Sequence, residues 1–212
     1  MESTDKIINL LEKEYKIDKP FLNFKTDFQL LIAVILSAQC TDARVNLVTK
    51  ELFKKVKHPK DIINLSQKQL EKYIYSTGFY KNKAKNIKTT AEILKTNFKG
   101  KIPSKMEELL TLRGVSRKTA NVVLGYLFNK EDSLPVDTHV IRLSNRLNLT
   151  ESKNPVIIER DLIKITPKDK RFNFSTLLIM HGRKICTARK PNCKNCMLNK
   201  LCPSAFSFEK SL

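Results

Sequence analysis

Residues 106–127 read MEELLTLRGVSRKTANVVLGYL. The stretch reads as helix, tight turn, helix. Gly114 permits the sharp reversal, because glycine enters positive φ without a Cβ penalty. Ser116 is a preferred N-cap for the second helix. Behind it, Ala120, Val123, Leu124 and Leu127 recur at helical spacing. Backbone N–H groups at such a turn and helix start suit an anion, and a DNA phosphate is the natural candidate. An ordinary αα-hairpin has the same outline, so the turn alone decides between neither reading.

Outward from this hairpin the chain keeps reading as helix. Thr26-x-x-Gln29 forms a capping box ahead of an apolar segment, Phe28 to Ala38. That segment is apolar almost all round and predicts a buried core helix. Thr41 or Asp42 caps the next helix, with Val45, Val48, Leu52, Phe53 and Val56 on its inner face. Ser104-x-x-Glu107, just after Pro103, is a second capping box. Phe174, Leu177, Leu178 and His181 mark one more amphipathic helix. Loops fall at 97–103, 129–135, 154–155 and around the C-terminal cysteines. Lys81, Lys83, Lys85 and Lys88 read as a basic run on a solvated face. No period-2 strand, repeat or linker interrupts the pattern, so the expected fold class is all-α.

The 212 residues allow one large domain or two small ones. With 41% hydrophobic residues the composition is globular. The start, MESTDKIINLLEKEYKID, carries charges throughout and does not resemble a secretory signal. The longest apolar run, Leu30 to Leu36, is far shorter than the roughly 18 residues of a membrane span. A soluble cytoplasmic protein with no membrane partner is expected. Forty Lys+Arg against 21 Asp+Glu give a formal charge of +19. Such an excess predicts a polyanionic partner, although the lysine bias of an AT-rich genome produces the same number.

Two residues beside these helices carry candidate chemistry. Lys118 lies in the first turn of the hairpin's second helix, where the dipole opposes a positive charge. With partial burial, that field would lower its pKa and favour the neutral amine a Schiff-base nucleophile must be. A solvated surface lysine is the ordinary alternative. In Pro135-Val136-Asp137-Thr138-His139-Val140, Asp137 follows apolar residues and either caps a helix or faces developing positive charge. His58, His139 and His181 do not suggest a metal site.

The chain closes on HGRKICTARKPNCKNCMLNKLCPSAF, residues 181–206. Cys186, Cys193, Cys196 and Cys202 are separated by six, two and five residues. With no export signal, disulfides are disfavoured. The spacing points to a [4Fe–4S] cluster. Structural zinc sites more often show two short cysteine pairs, and here there is one. Arg189 and Lys190 lie in the loop between the first two cysteines, where pinned basic side chains can meet phosphates. Cys40 stands apart as an unpaired, semi-buried thiol.

Taken together the chain resembles the endonuclease III family of DNA glycosylases, in the helix-hairpin-helix superfamily. The resemblance rests on LLIAVILSAQCTD at 30–42, LRGVSRKTANVVL at 112–124, PVDTHVIRLSNRL at 135–147, and HGRKICTARKPNCKNC at 181–196 with Cys202. It implies two helical domains flanking a DNA-binding cleft. One is a six-helix domain at 21–131 with the hairpin at about 106–127. The other joins 1–20 to 132–212 and carries the cluster. It implies Lys118 as nucleophile and Asp137 as the catalytic carboxylate. Gln39 matches the residue that fills the gap left by the extruded base. Phe79 matches the wedge facing the orphaned base. Arg113, Gly114, Val115 and Ser116 would grip the DNA backbone.

The implied activity is a base-excision bifunctional DNA glycosylase and AP lyase. It would act as a monomer on double-stranded DNA holding oxidised pyrimidines or abasic sites, in the cytoplasm at the nucleoid. Four positions depart from the family pattern. Phe79 replaces a commonly aliphatic residue, Leu112-Arg113-Gly114-Val115-Ser116 replaces L-P-G-V-G, and Cys40 stands where alanine is common. Monofunctional adenine and mismatch-thymine glycosylases are the nearest rivals, but the former lack the hairpin lysine and the latter usually do. A non-catalytic iron–sulfur DNA-binding protein would need neither Lys118 nor Asp137.

Overall fold

The computed structural model describes residues 2–207. Its order is α1 (Glu2–Glu14), α2 (Asp27–Leu36), α3 (Asp42–Lys55), α4 (Pro59–Asn64), α5 (Gln67–Ile74), α6 (Tyr80–Asn97), α7 (Met106–Leu110), α8 (Arg117–Phe128), α9 (Thr138–Arg146), α10 (Pro155–Ile165) and α11 (Arg171–Lys184). Short 3-10 turns occur at Tyr75–Thr77, Lys168–Lys170 and Cys193–Asn195. Among the described residues there is no strand, and no helix is long and apolar enough to cross a membrane. The chain divides into two compact units, Lys19–Asn129 and Met1–Asp18 with Lys130–Leu212.

In the Lys19–Asn129 unit, α2 is the axis of the core. Every residue from Phe28 to Leu36 is buried, and α3, α6 and α8 pack against it. Val45, Leu52 and Val56 turn inward from α3, and Ala120, Val123 and Leu124 from α8. Phe53 and Leu127 are half-buried at the edge of the same cluster. The unit holds seven α-helices, α2 to α8, rather than six. The additional element is the five-residue α7, the hairpin's short first arm.

Caps set most boundaries as the sequence implies. Thr26 accepts from the Gln29 N–H at 3.2 Å, and Thr41 accepts from the Arg44 N–H at 3.3 Å. The box at Thr26 is only half made. The buried Gln29 Oε1 accepts from the Lys25 N–H at 2.8 Å, while Nε2 donates to the Val56 carbonyl at 2.7 Å. Its amide thereby ties the end of α3 to the start of α2.

The box predicted at Ser104 does not form. Lys105 is the N-cap of α7 and makes no side-chain cap bond. Burial of Leu109 and Leu112 fixes that register, and packing overrides a local cap preference. Lys83 and Lys88 also leave the solvated face expected for them. Lys83 is buried, and Lys88 reaches the Ile62, Ile63 and Leu65 carbonyls.

The other unit is organised on α11, which packs against α1 and α9. Phe174, Leu177, Leu178 and His181 are all buried on it. Gly182 lets α9 come close, since a Cβ there would lie 3.1 Å from His139 Cβ. Two α11 side chains hold the segment before α9. Arg171 pairs with Asp132, and the Ser175 hydroxyl donates to the Pro135 carbonyl. Pro155, expected in a loop, is instead the first residue of α10, capped by Asn154. A proline suits that position because its missing N–H has no helical partner there.

Candidate nucleic-acid interface and active-site residues

The hairpin is built around Gly114 at φ +80°. A Cβ on Gly114 would lie 3.2 Å from Asn86 Cβ and 3.3 Å from Ile35 Cγ2. The turn is closed by Val115 N–H on the Leu112 carbonyl at 3.2 Å. Thr90 on α6 donates to the Arg113 carbonyl at 2.8 Å and fixes the turn to the core. Ser116 lies at φ −90°, open to any residue, and its hydroxyl accepts from the Thr119 N–H at 3.3 Å. The serine therefore improves the cap without straining the turn. Gly114→Ala combines an unfavourable φ with a tight contact. It is expected to cost roughly 1–3 kcal/mol and lower Tm by several degrees, read by thermal unfolding.

Lys118 is the second residue of α8 and is exposed. The partial burial expected for it is absent. The buried face of α8 is formed by Thr119, Ala120, Val123 and Leu124, and the lysine lies off that face. Its amine stands at the N-terminal end of α8, two residues after the Ser116 cap.

Asp137 is the N-cap of α9. Its Oδ1 accepts from the His139 and Val140 N–H groups at 2.8 and 3.0 Å, and its Oδ2 lies 3.1 Å from His139 Nδ1. The side chain is 13% exposed, in a segment whose Leu134, Pro135 and Val136 are buried. The cap fixes the carboxylate on one oxygen and the histidine orients the other.

Gln39 and Phe79 share a backbone feature. Both are exposed, and both lie in the left-handed region, at φ 53° and 49°. Phe79, 71% exposed, is a bulky aromatic where that conformation is uncommon. Such strain concentrates at functional positions. Cys40, beside Gln39, is a half-buried free thiol.

Cys186, Cys193, Cys196 and Cys202 are all free thiols, and all four line one cavity with Ile185, Pro191 and Ala205 among its other walls. Burial, reinforced by the neighbouring thiols, pushes the Cys196 thiol up, and burial does the same to Cys202. Crowded thiols of this kind fit a cationic iron–sulfur group that would hold them as thiolates. They surround a cavity rather than a point. Among the described residues no three His, Cys, Asp or Glu side chains converge as ligands of one metal ion.

Residues that the sequence reading passed over shape this site. Arg146 on α9 donates to Cys186 Sγ at 3.1 Å and to the Thr187 and Ala188 carbonyls at 2.8 and 2.9 Å. Arg142, one turn earlier, holds the Gly182 and Cys186 carbonyls. Together they anchor the loop that displays the exposed Arg189 and Lys190. Their spacing of four residues was a visible signal, but such pairs usually mark a solvated face. His181 Nε2 lies 3.3 Å from Cys196 Sγ and its Nδ1 2.9 Å from the Tyr15 hydroxyl. Burial lowers His181 to about 4 and raises Tyr15 to about 12. Both groups are thus neutral at pH 7. An ionised Cys196 would accept from Nε2–H, which leaves Nδ1 to accept from the tyrosine.

Residues 32–168 match the HhH-GPD superfamily base excision DNA repair protein family. Endonuclease III of Synechocystis sp. is 49% identical over 199 residues, 94% of this chain and 91% of that protein. A solved structure of a trapped endonuclease III–DNA covalent intermediate superposes with a TM-score of 0.91 at 40% identity, covering 96% of each chain. A non-covalent endonuclease III–DNA complex gives 0.91 at 39% identity, covering 96% of this chain and 95% of that one. The chain belongs to the endonuclease III family of HhH-GPD base-excision repair proteins.

Proposed function

We propose that this protein is a bifunctional DNA glycosylase and AP lyase that removes oxidised pyrimidines. The observation that carries this reading is the exposed lysine at the second position of α8, directly after the Gly114 turn. Deprotonated Lys118 Nζ attacks C1′ of the extruded nucleotide, and the glycosidic bond breaks. The base leaves with the bonding electrons and takes up a proton. The sugar ring then opens to an imine on Nζ. Loss of a C2′ proton expels the 3′-phosphate, which cuts the strand, and water releases the lysine.

Asp137 stabilises the positive charge that develops on the sugar as the base departs. Its two capping N–H bonds leave little freedom to turn away. Gly114, Val115 and Ser116 grip phosphates through the turn, with Arg113 adding charge, and Arg189 and Lys190 add contacts from the cysteine loop. Gln39 enters the gap left by the base and Phe79 stacks on the base opposite. The protein acts as a monomer on double-stranded DNA, at the nucleoid in the cytoplasm.

The four cysteines hold a [4Fe–4S] cluster that orders the DNA-contacting loop. Arg146 and His181 supply N–H groups to its sulfur ligands, an arrangement that commonly tunes such groups. Purified protein is expected to be brown and to hold iron and acid-labile sulfide in equal amounts. Zinc with no sulfide would contradict the cluster.

The function is tested with duplex DNA holding one thymine glycol and borohydride. A covalent protein–DNA band is the expected result. Base release without a band would support the monofunctional reading instead, and neither would support the non-catalytic one.

A further inference from the structure

Gln39 and Phe79 sit in different loops of the Lys19–Asn129 unit, and one buried side chain joins those loops. Lys83, on α6, is 6% exposed. Its Nζ donates to the Leu36 carbonyl at 2.9 Å and to the Thr77 carbonyl at 2.7 Å. Leu36 is the last residue of α2, at the root of the loop bearing Gln39. Thr77 lies two residues before Phe79. The Lys83 backbone N–H donates to the Phe79 carbonyl at 3.0 Å, so the same residue closes the first turn after the wedge.

The two carbonyls explain how a cation is tolerated there. Leu36 lies at a helix C-terminus, where carbonyls lack helical partners and a positive charge is favoured. The charge is nevertheless desolvated, and burial pulls the ammonium's pKa down. Both hydrogen bonds from Nζ go to neutral carbonyl oxygens, and a methionine would fill much of the same space without the cost of burying a charge. What a methionine cannot do is hold two backbone segments at a fixed spacing.

We propose that Lys83 is a positioning residue, a clip that fixes the Gln39 loop against the Phe79 loop so that both side chains meet the duplex together. This rests on the roles given to Gln39 and Phe79 above. Its effect falls on extrusion of a stacked base, a step that an abasic nucleotide largely escapes.

The test measures single-turnover excision of thymine glycol from duplex DNA, and cleavage of a preformed abasic site, for wild type, Lys83→Met, Phe79→Ala and the double variant. Thermal unfolding is followed alongside, and Lys83→Gln substitutes if the methionine variant is unfolded at the assay temperature. Loss of the clip is expected to slow excision about tenfold and abasic cleavage by no more than about twofold. Added to Phe79→Ala it should cost clearly less than it does alone, because the clip acts in part through Phe79. Excision within about twofold of wild type overturns the clip, as does an independent, multiplicative loss in the double variant. If Phe79→Ala alone excises normally, the role of Phe79 itself fails. If Phe79→Ala is slow while Lys83→Met is normal, the clip alone fails.

Discussion

Lys118→Ala binds damaged duplex DNA and does not cut it. That is the expected result, and it follows from one side chain having two roles that separate on mutation. The ammonium of an exposed lysine adds one charge to a protein of formal charge +19. Its loss should change DNA affinity by only about threefold at fixed salt. Its amine is the sole source of the imine in the proposed reaction. Strand cleavage should fall by a factor on the order of 10³ or more, as when a nucleophile is removed, and borohydride trapping should vanish. Ala is a good helix former, so α8 should keep its stability. Undiminished trapping in this variant would remove Lys118 from the mechanism.

Asp137→Asn separates structure from chemistry in a different way. Oδ1 caps α9 through two backbone N–H groups, and asparagine caps as well as aspartate. The variant should therefore fold with nearly unchanged Tm. What it loses is the negative charge that the proposed reaction sets against the sugar. Single-turnover base excision should slow by about 10²–10³-fold, the scale of losing one preorganised electrostatic group. Asp137→Ala should show the same chemical loss and a further stability cost of about 1 kcal/mol from the missing cap. Wild-type excision by Asp137→Asn would leave Asp137 only its structural role.

Most of the fold was legible because local rules and packing agree here. Thr26, Thr41, Ser116 and Asp137 are caps in the sequence and in the structure. The apolar α2 is buried from Phe28 to Leu36, as its composition requires, but it stops two residues short of Ala38, which is exposed. The hairpin and the cysteine cavity follow from short-range spacing, which a single sequence displays well.

The misreadings are of another kind. Ser104 has the right chemistry for a cap, but the burial of Leu109 and Leu112 moves the helix start. Lys83, Lys88, Arg142 and Arg146 look like solvent-facing charge in one dimension. Each instead reaches backbone carbonyls, most of them more than twenty residues away in sequence. Nothing local specifies those partners. Lys118 is a different case, because the sequence leaves both a partly buried and a solvated lysine open. Its place in the helix was readable, but its exposure depends on which face of α8 the core takes.

The central claim is that Lys118 itself forms the covalent bond to the damaged nucleotide. A chain this rich in lysine offers many amines, so a trapped band alone does not say which one reacted. The direct measurement is peptide mapping by mass spectrometry of the borohydride-reduced conjugate with thymine glycol DNA. The sugar adduct is expected on the peptide carrying Lys118. An adduct on any other lysine, or on the N-terminal amine, would contradict the account.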